Sequence, residues 1–220
     1  MNISILNEKF RPTTLDDFLC SPENREKFEE FIKKQDIPHI GLFGEPGSGK
    51  TTLAKIFRKQ IDCDYLYLNA MDERGMDVLR DKVKSFASSA TFYPLKIVIL
   101  DEATHIRVDS QVLLLNMIET YSKDTRFILT GNYPQRLIEP LRSRLQEFNL
   151  VPPKKSEIAN MLCDILQKEN VEYTVEDVAA IINKYYPDIR RVINMTQKNI
   201  INNKLSLANL DSSYSDYCDN

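Results

Sequence analysis

The sequence has no long apolar run, no closely spaced cysteines and no excess of positive charge. No stretch approaches the ~18 consecutive apolar residues of a membrane-spanning helix, so no membrane partner is expected. Asn7 to Pro12 is charged, and no apolar stretch leads to a small-residue cleavage site, which argues against a secretory leader. Cys20, Cys63, Cys163 and Cys218 are scattered without the pairs of zinc or redox sites. They read as buried or incidental thiols of a reducing compartment. With 29 Lys and Arg against 32 Asp and Glu, the net charge of -3 excludes a globally basic nucleic-acid binder. It leaves room for one local basic face. No repeat or low-complexity tract is present, and a soluble cytoplasmic protein is expected.

What the sequence does have is Gly44-Glu45-Pro46-Gly47-Ser48-Gly49-Lys50-Thr51, followed by Thr52 and preceded by the apolar stretch Ile37 to Phe43. The spacing fits a phosphate-binding loop. Backbone N–H groups cradle phosphates, the lysine reaches the terminal ones and the threonine hydroxyl holds magnesium. Gly47 and Gly49 permit the backbone conformations and close approach this requires, and a helix opening at Lys50 turns its positive dipole end to the anion. A nucleoside triphosphate is the expected ligand.

At 220 residues the chain is large for one domain and small for two, taking roughly 150 residues per domain. Strand-like runs at 38–43, 65–69, 96–101, 126–130 and 146–150 alternate with helical patterns at 50–61, 76–89 and 109–121. That alternation predicts a parallel sheet covered on both faces. After Val151-Pro152-Pro153 three helical patterns follow without a strand, the second with Val175, Val178 and Ile181 at helical spacing and the third capped by Asp188. The expected domains are 1–151, 152–210 and a frayed polar tail at 211–220.

Asp101 and Glu102 close the strand at 97–100, where ligands of open α/β sheets bind. Beside a phosphate-binding loop, Asp101 suits magnesium and Glu102 suits the attacking water. Thr130-Gly131-Asn132 ends the next strand, and Asn132 could sense the terminal phosphate or form a plain turn. Arg144, just before a strand, could be a transition-state arginine supplied in cis or by a neighbouring subunit, or a surface cation. Arg80 and Lys84 lie one turn apart on a helix whose Val78, Leu79, Val83 and Phe86 form a core stripe. Their face could grip a phosphodiester backbone or be an ordinary solvated surface.

Together these segments resemble a clamp-loader ATPase of the AAA+ superfamily, the kind found in replication factor C small subunits and the T-even-type phage clamp loader. The resemblance runs from Glu8 to Asn194. Glu8-Lys9-Phe10-Arg11-Pro12 resembles the box flanking the adenine pocket, which gives Arg11 a place at the nucleotide. Leu100-Asp101-Glu102-Ala103-Thr104 resembles the acidic strand-end box, with Thr104 replacing its final Asp. Asn132 matches the first sensor. Ser143-Arg144-Leu145 resembles the Ser-Arg-Cys motif whose arginine reaches the adjacent subunit's ATP. Pro187-Asp188-Ile189-Arg190-Arg191 resembles the second-sensor box, which implies Arg190 over the chain's own terminal phosphate. Gly75 to Arg80 resembles the start of the helix that tracks primed DNA, so Arg80, Lys84 and, more remotely, Arg107 become DNA candidates.

The resemblance implies an α/β fold, a P-loop AAA+ parallel sheet flanked by helices and followed by a small helical lid. It further implies ATP and Mg2+, DNA-stimulated hydrolysis at a site completed by a neighbouring subunit, and a hetero-oligomer that is pentameric in its intact form. The implied partners are a sliding clamp and primer-template DNA, at the nucleoid or replication fork, including that of an infected host cell. The sequence stops near where the family's helical collar begins, so a fragment or a short form is expected. Other DNA-directed AAA+ machines, such as branch-migration motors or helicase loaders, and a non-hydrolysing assembly subunit remain as alternatives.

Overall fold

A computed structural model describes residues 5–71 and 76–206. In chain order the elements are α1 (Leu6–Lys9), α2 (Pro22–Lys34), β1 (Ile40–Phe43), α3 (Lys50–Gln60), β2 (Cys63–Asn69), α4 (Met76–Ser88), β3 (Leu95–Asp101), α5 (Val108–Tyr121), β4 (Thr125–Gly131), α6 (Glu139–Arg142), β5 (Gln146–Asn149), α7 (Lys155–Lys168), α8 (Val175–Tyr185), α9 (Ile189–Lys198), β6 (Ile200–Ile201) and β7 (Lys204–Leu205). They form two compact units, Pro12–Val151 and the described residues of Met1–Arg11 with Pro152–Asn220. Among the described residues no helix is long and apolar enough to cross a membrane.

In the larger unit the five strands are all parallel, in the order β2-β3-β4-β1-β5. Alternation along each strand sorts the core into two layers. Ile97 and Ile99 of β3 face a cluster with α2 and α3, including Phe28, Phe57 and Phe148, while Val98 and Leu100 face α4 and α5. Phe28 is fully buried and meets Phe57 and Phe148 edge-on at centroid distances of 5.5 and 4.9 Å. A helix at 22–34 carries no chemistry in the sequence, yet its start is well marked. Pro22 stands in its first turn and Ser21 caps it, accepting from the Asn24 N–H.

Lys96 is the second residue of the fully buried strand β3 and is itself only 2% exposed. Its ammonium donates to the carbonyls of Phe86 at 3.0 Å, Ala87 at 2.9 Å and Ser89, around the carboxyl end of α4. The lysine thereby serves the Ala87 and Ser89 carbonyls at a helix end and joins the Ser89 N–H and hydroxyl on the Phe86 carbonyl, where the dipole favours a cation.

The smaller unit packs α7, α8, α9 and α1 around Ile158, Leu162, Ile181, Val192 and Leu6. Thr174 and Asp188 cap α8 and α9 by accepting from the N–H groups of Asp177 and Arg191. The change of unit between Val151 and Pro152 lies where the double proline stands. Three expectations need correction. The amino-terminal segment does not join the sheet domain, because Leu6 enters the helical core and its N–H donates to Gln197, while Asn7 bonds Asn194. A two-stranded hairpin, β6 with β7, follows α9 where only helices are predicted. Val78 and Val175 are exposed, at 46% and 71%, although helical spacing places them in cores. Gly75 and residues 207–220, which include the expected tail, lie outside the described residues.

Candidate functional site

The phosphate-binding loop joins β1 to α3 at the carboxyl edge of the sheet, and its glycines are there for steric reasons. Gly44, Gly47 and Gly49 have φ of 146°, 80° and 91°, values that cost a residue with a side chain. A Cβ on Gly44 would lie 2.5 Å from the Leu150 carbonyl oxygen, and one on Gly49 would lie 2.7 Å from the Phe18 ring. Lys50 is buried, and its Nζ donates to the carbonyls of Gly44 at 2.9 Å and Glu45 at 2.8 Å. An ammonium held on loop carbonyls at a helix start is placed to be shared with an anion.

Because β4 lies between β1 and β3, the ends of all three strands converge on one edge. Asp101, the last residue of β3, is buried and points to the α3 side, as Ile97 and Ile99 do. Its Oδ1 accepts from the Thr51 hydroxyl at 2.9 Å and from the Thr130 hydroxyl; its Oδ2 accepts from Thr51 at 3.1 Å and from the Tyr67 hydroxyl at 2.5 Å. Glu102 sits in the left-handed region at φ 56°, and its N–H donates to the Thr130 hydroxyl at 3.1 Å. The Nε2 of His105 is 3.8 Å from Glu102 Oε2.

Among the described residues, four buried polar atoms beside this edge have no hydrogen-bond partner: Ser48 Oγ, Glu102 Oε2, Thr104 Oγ1 and Asn132 Oδ1. Buried polar atoms are normally paired, so their grouping at a glycine-rich loop fits a polar ligand. The hydroxyl of Thr51 and the carboxylate of Asp101 are hard oxygen donors of the kind magnesium takes. The residues present therefore fit a magnesium–nucleotide.

The structure thus gathers Gly44, Glu45, Pro46, Gly47, Ser48, Gly49, Lys50, Thr51, Thr52, Asp101, Glu102 and Asn132 around one sheet edge. The other candidates belong to other elements. Arg144 precedes β5, whose Gln146 is level with Ile40 at the start of β1, so it stands at the amino edge of the sheet. There its guanidinium donates to Glu119 and to the Pro140 carbonyl. Arg190 and Arg11 belong to the helical unit, where Arg11 pairs with Glu8 at 2.7 Å. Arg80 and Lys84 of α4 line a cavity of about 170 Å³ with Asn116, Thr120 and Tyr121 of α5, and Arg107 is the residue before α5.

Tyr67, Thr130 and Phe18 stand in no signature motif, yet they shape the site. One sequence signal points to Thr130, which precedes Gly131-Asn132; Tyr67 joins the face of Asp101 only through the register of β2 with β3. Thr104 is buried against Gly131, where a Cβ would come within 2.3 Å of its methyl group. The residue that departs from the acidic box thus fills space beside the β4 end.

A loop of this shape on this sheet, with paired acids on the next strand but one, defines a P-loop nucleotide-binding protein. The family model for the ATPase family associated with various cellular activities (AAA) matches residues 40–153, more than half of the chain. The chain belongs to that family. Among similar proteins are the replication factor C small subunits of Staphylothermus marinus, 42% identical over 197 residues, and of Saccharolobus solfataricus, 39% identical over 207. The alignments cover 86% and 91% of this chain but 60% and 63% of those proteins. The chain therefore spans about three fifths of the length of these relatives. A solved structure of the Thermotoga maritima RuvB Holliday junction branch migration motor shares the fold, with a TM-score of 0.70 at 22% identity over 86% of this chain and 64% of that one.

Proposed function

We propose that this chain is the ATPase subunit of a DNA polymerase sliding-clamp loader of the replication factor C type. ATP binding would assemble subunits that open a clamp and place it on primer-template DNA, and hydrolysis would release it. The narrower likeness to the T-even-type phage subunit rests on motif order and belongs to the same proposal, as do a pentameric hetero-oligomer and action at the replication fork.

The observation that carries the reading is the separation of Arg144 from the loop. The arginine lies at the amino edge of the strands and the loop at the carboxyl edge. β1 alone spans about 13 Å at its four-residue length, so Arg144 cannot serve its own chain's nucleotide without leaving Glu119. A second subunit completes the site. Lys50 and the loop amides bind the phosphates, Thr51 and Asp101 hold the metal, and Glu102 orients the attacking water. Asn132 and Arg190 sense the terminal phosphate, and Arg11 lies by the base. Bound magnesium neutralises charge on the phosphates. Arg80, Lys84 and Arg107 supply backbone contacts to DNA without reading sequence.

The test is ATP turnover against protein concentration, with and without primer-template DNA and a clamp. Turnover should rise steeply with concentration and again with both ligands, and Arg144→Ala should lower it on the order of a thousandfold. Normal turnover by Arg144→Ala under assembled, DNA-bound conditions sinks the assignment of Arg144. Turnover indifferent to concentration and DNA sinks the loader.

A further inference from the structure

The carboxylate of Asp101 accepts hydroxyls from three elements, and two of the donors, Thr130 and Tyr67, stand in no signature motif. Tyr67 lies on β2, where Asn69 is level with Asp101, so Tyr67 stands two residues back along the neighbouring strand. Two residues of strand span about 6.6 Å, a diagonal that a phenol bridges and a serine or threonine hydroxyl does not. The 2.5 Å bond to Oδ2 shows that it is bridged. Tyr67 as a residue is 36% exposed, and its ring lies under the Lys55 ammonium, 5.5 Å from the ring centroid. Its contact with Asp101 is through the hydroxyl.

The distribution of donors over the two oxygens gives this contact a purpose. Thr51 is the hydroxyl that a magnesium ion would also engage, so its bonds to Asp101 are the ones surrendered on metal binding. Thr130 then remains on Oδ1 and Tyr67 on Oδ2, one donor for each oxygen. A carboxylate held at both oxygens keeps its plane, whereas one held at a single oxygen can turn. We propose that Tyr67 is a positioning residue for Asp101, its phenol hydroxyl fixing Oδ2 so that the carboxylate meets magnesium in one orientation. The inference rests on the nucleotide-binding reading of the site, not on clamp loading.

The variant Tyr67→Phe removes the hydroxyl and keeps the ring. Binding of Mn2+ to the protein with ADP, followed by electron paramagnetic resonance of the free ion, should weaken about tenfold. Affinity for a fluorescent ADP analogue in EDTA should stay unchanged, while the melting temperature falls by a few degrees for the lost bond to a charged group. In an Asp101→Asn background Tyr67→Phe should add nothing. Mn2+ affinity within twofold of the parent overturns the proposal, as does an equal loss of metal-free nucleotide binding or a further loss in the Asp101→Asn background. If the parent binds Mn2+ with ADP yet never turns over ATP, the ATPase reading fails while the metal affinities still decide the role of Tyr67. If the parent binds no Mn2+ with ADP, both fall.

Discussion

Replacing Lys96 by methionine tests whether a buried charge tied to a helix end stabilises this fold. Methionine matches the length of the lysine stem and fills the same apolar slot beneath Phe86, so the change isolates the ammonium. Three bonds to the ammonium are lost, although the Phe86 carbonyl keeps the N–H and hydroxyl of Ser89 as donors. At about 1.5–3 kcal/mol for each bond to a charged group, the gross loss is about 5–9 kcal/mol. Relief of ammonium desolvation returns several kcal/mol of this, and bent access of water to the exposed Ser89 end returns a little more. A net destabilisation of about 2–4 kcal/mol remains, or a drop of about 4–16 °C in Tm for a chain of this size. Urea unfolding followed by far-UV circular dichroism reads the midpoint, and hydrogen exchange localises the effect to the last turn of α4. A Lys96→Met protein as stable as its parent would refute the reasoning, since apolar packing would then outweigh the three bonds.

Two further outcomes are expected. Gly49→Ala forces a side chain into the left-handed region at φ 91° and against the Phe18 ring at 2.7 Å. It should cost about 1–2 kcal/mol of stability and weaken binding of a fluorescent nucleotide more than tenfold; unchanged affinity would show that the loop can shift. His39 has its pKa lowered, first by burial and then by the nearby Arg126 charge, and its Nδ1 accepts from the Phe127 N–H at 3.2 Å. Above about pH 6.5, the ordinary value, the imidazole is neutral folded or unfolded. As pH falls below it the unfolded chain gains a proton that the folded chain resists, so stability is lost from about pH 6.5 downward through the folded pKa. Thermal melts between pH 7.5 and 5.5 should show this decline, and His39→Gln should flatten it.

The phosphate-binding loop and the acids at 101 and 102 are legible in the sequence because their spacing is set by the ligand rather than by the fold. Strand positions are legible because β3 and β4 are apolar on both faces, a pattern that only burial between helices accommodates. Residues that act across strands are not legible. Tyr67 reaches Asp101 through the register of β2 with β3, and register is absent from a one-dimensional pattern. The docking of Leu6 into the helical core joins residues 191 positions apart, as its bond to Gln197 shows. Val78 and Val175 fit helical spacing yet face solvent, since periodicity marks a face without saying how far a neighbouring layer extends over it. Lys96 reads as an ordinary strand-end lysine until α4 is seen to end over it.

The strand order also has a bearing on how the chain comes into being. β1, which carries the loop, pairs on one side with β4 and on the other with β5, so Ile40 lies beside Ile128 and Gln146. During synthesis the loop sequence leaves the ribosome long before either flank exists, and β1 has no strand to pair with until residue 125 onward has emerged. Closing such distant pairs costs chain entropy before it returns any contact. The nucleotide pocket is thus among the first parts of the sheet unit to be translated and among the last to be walled in.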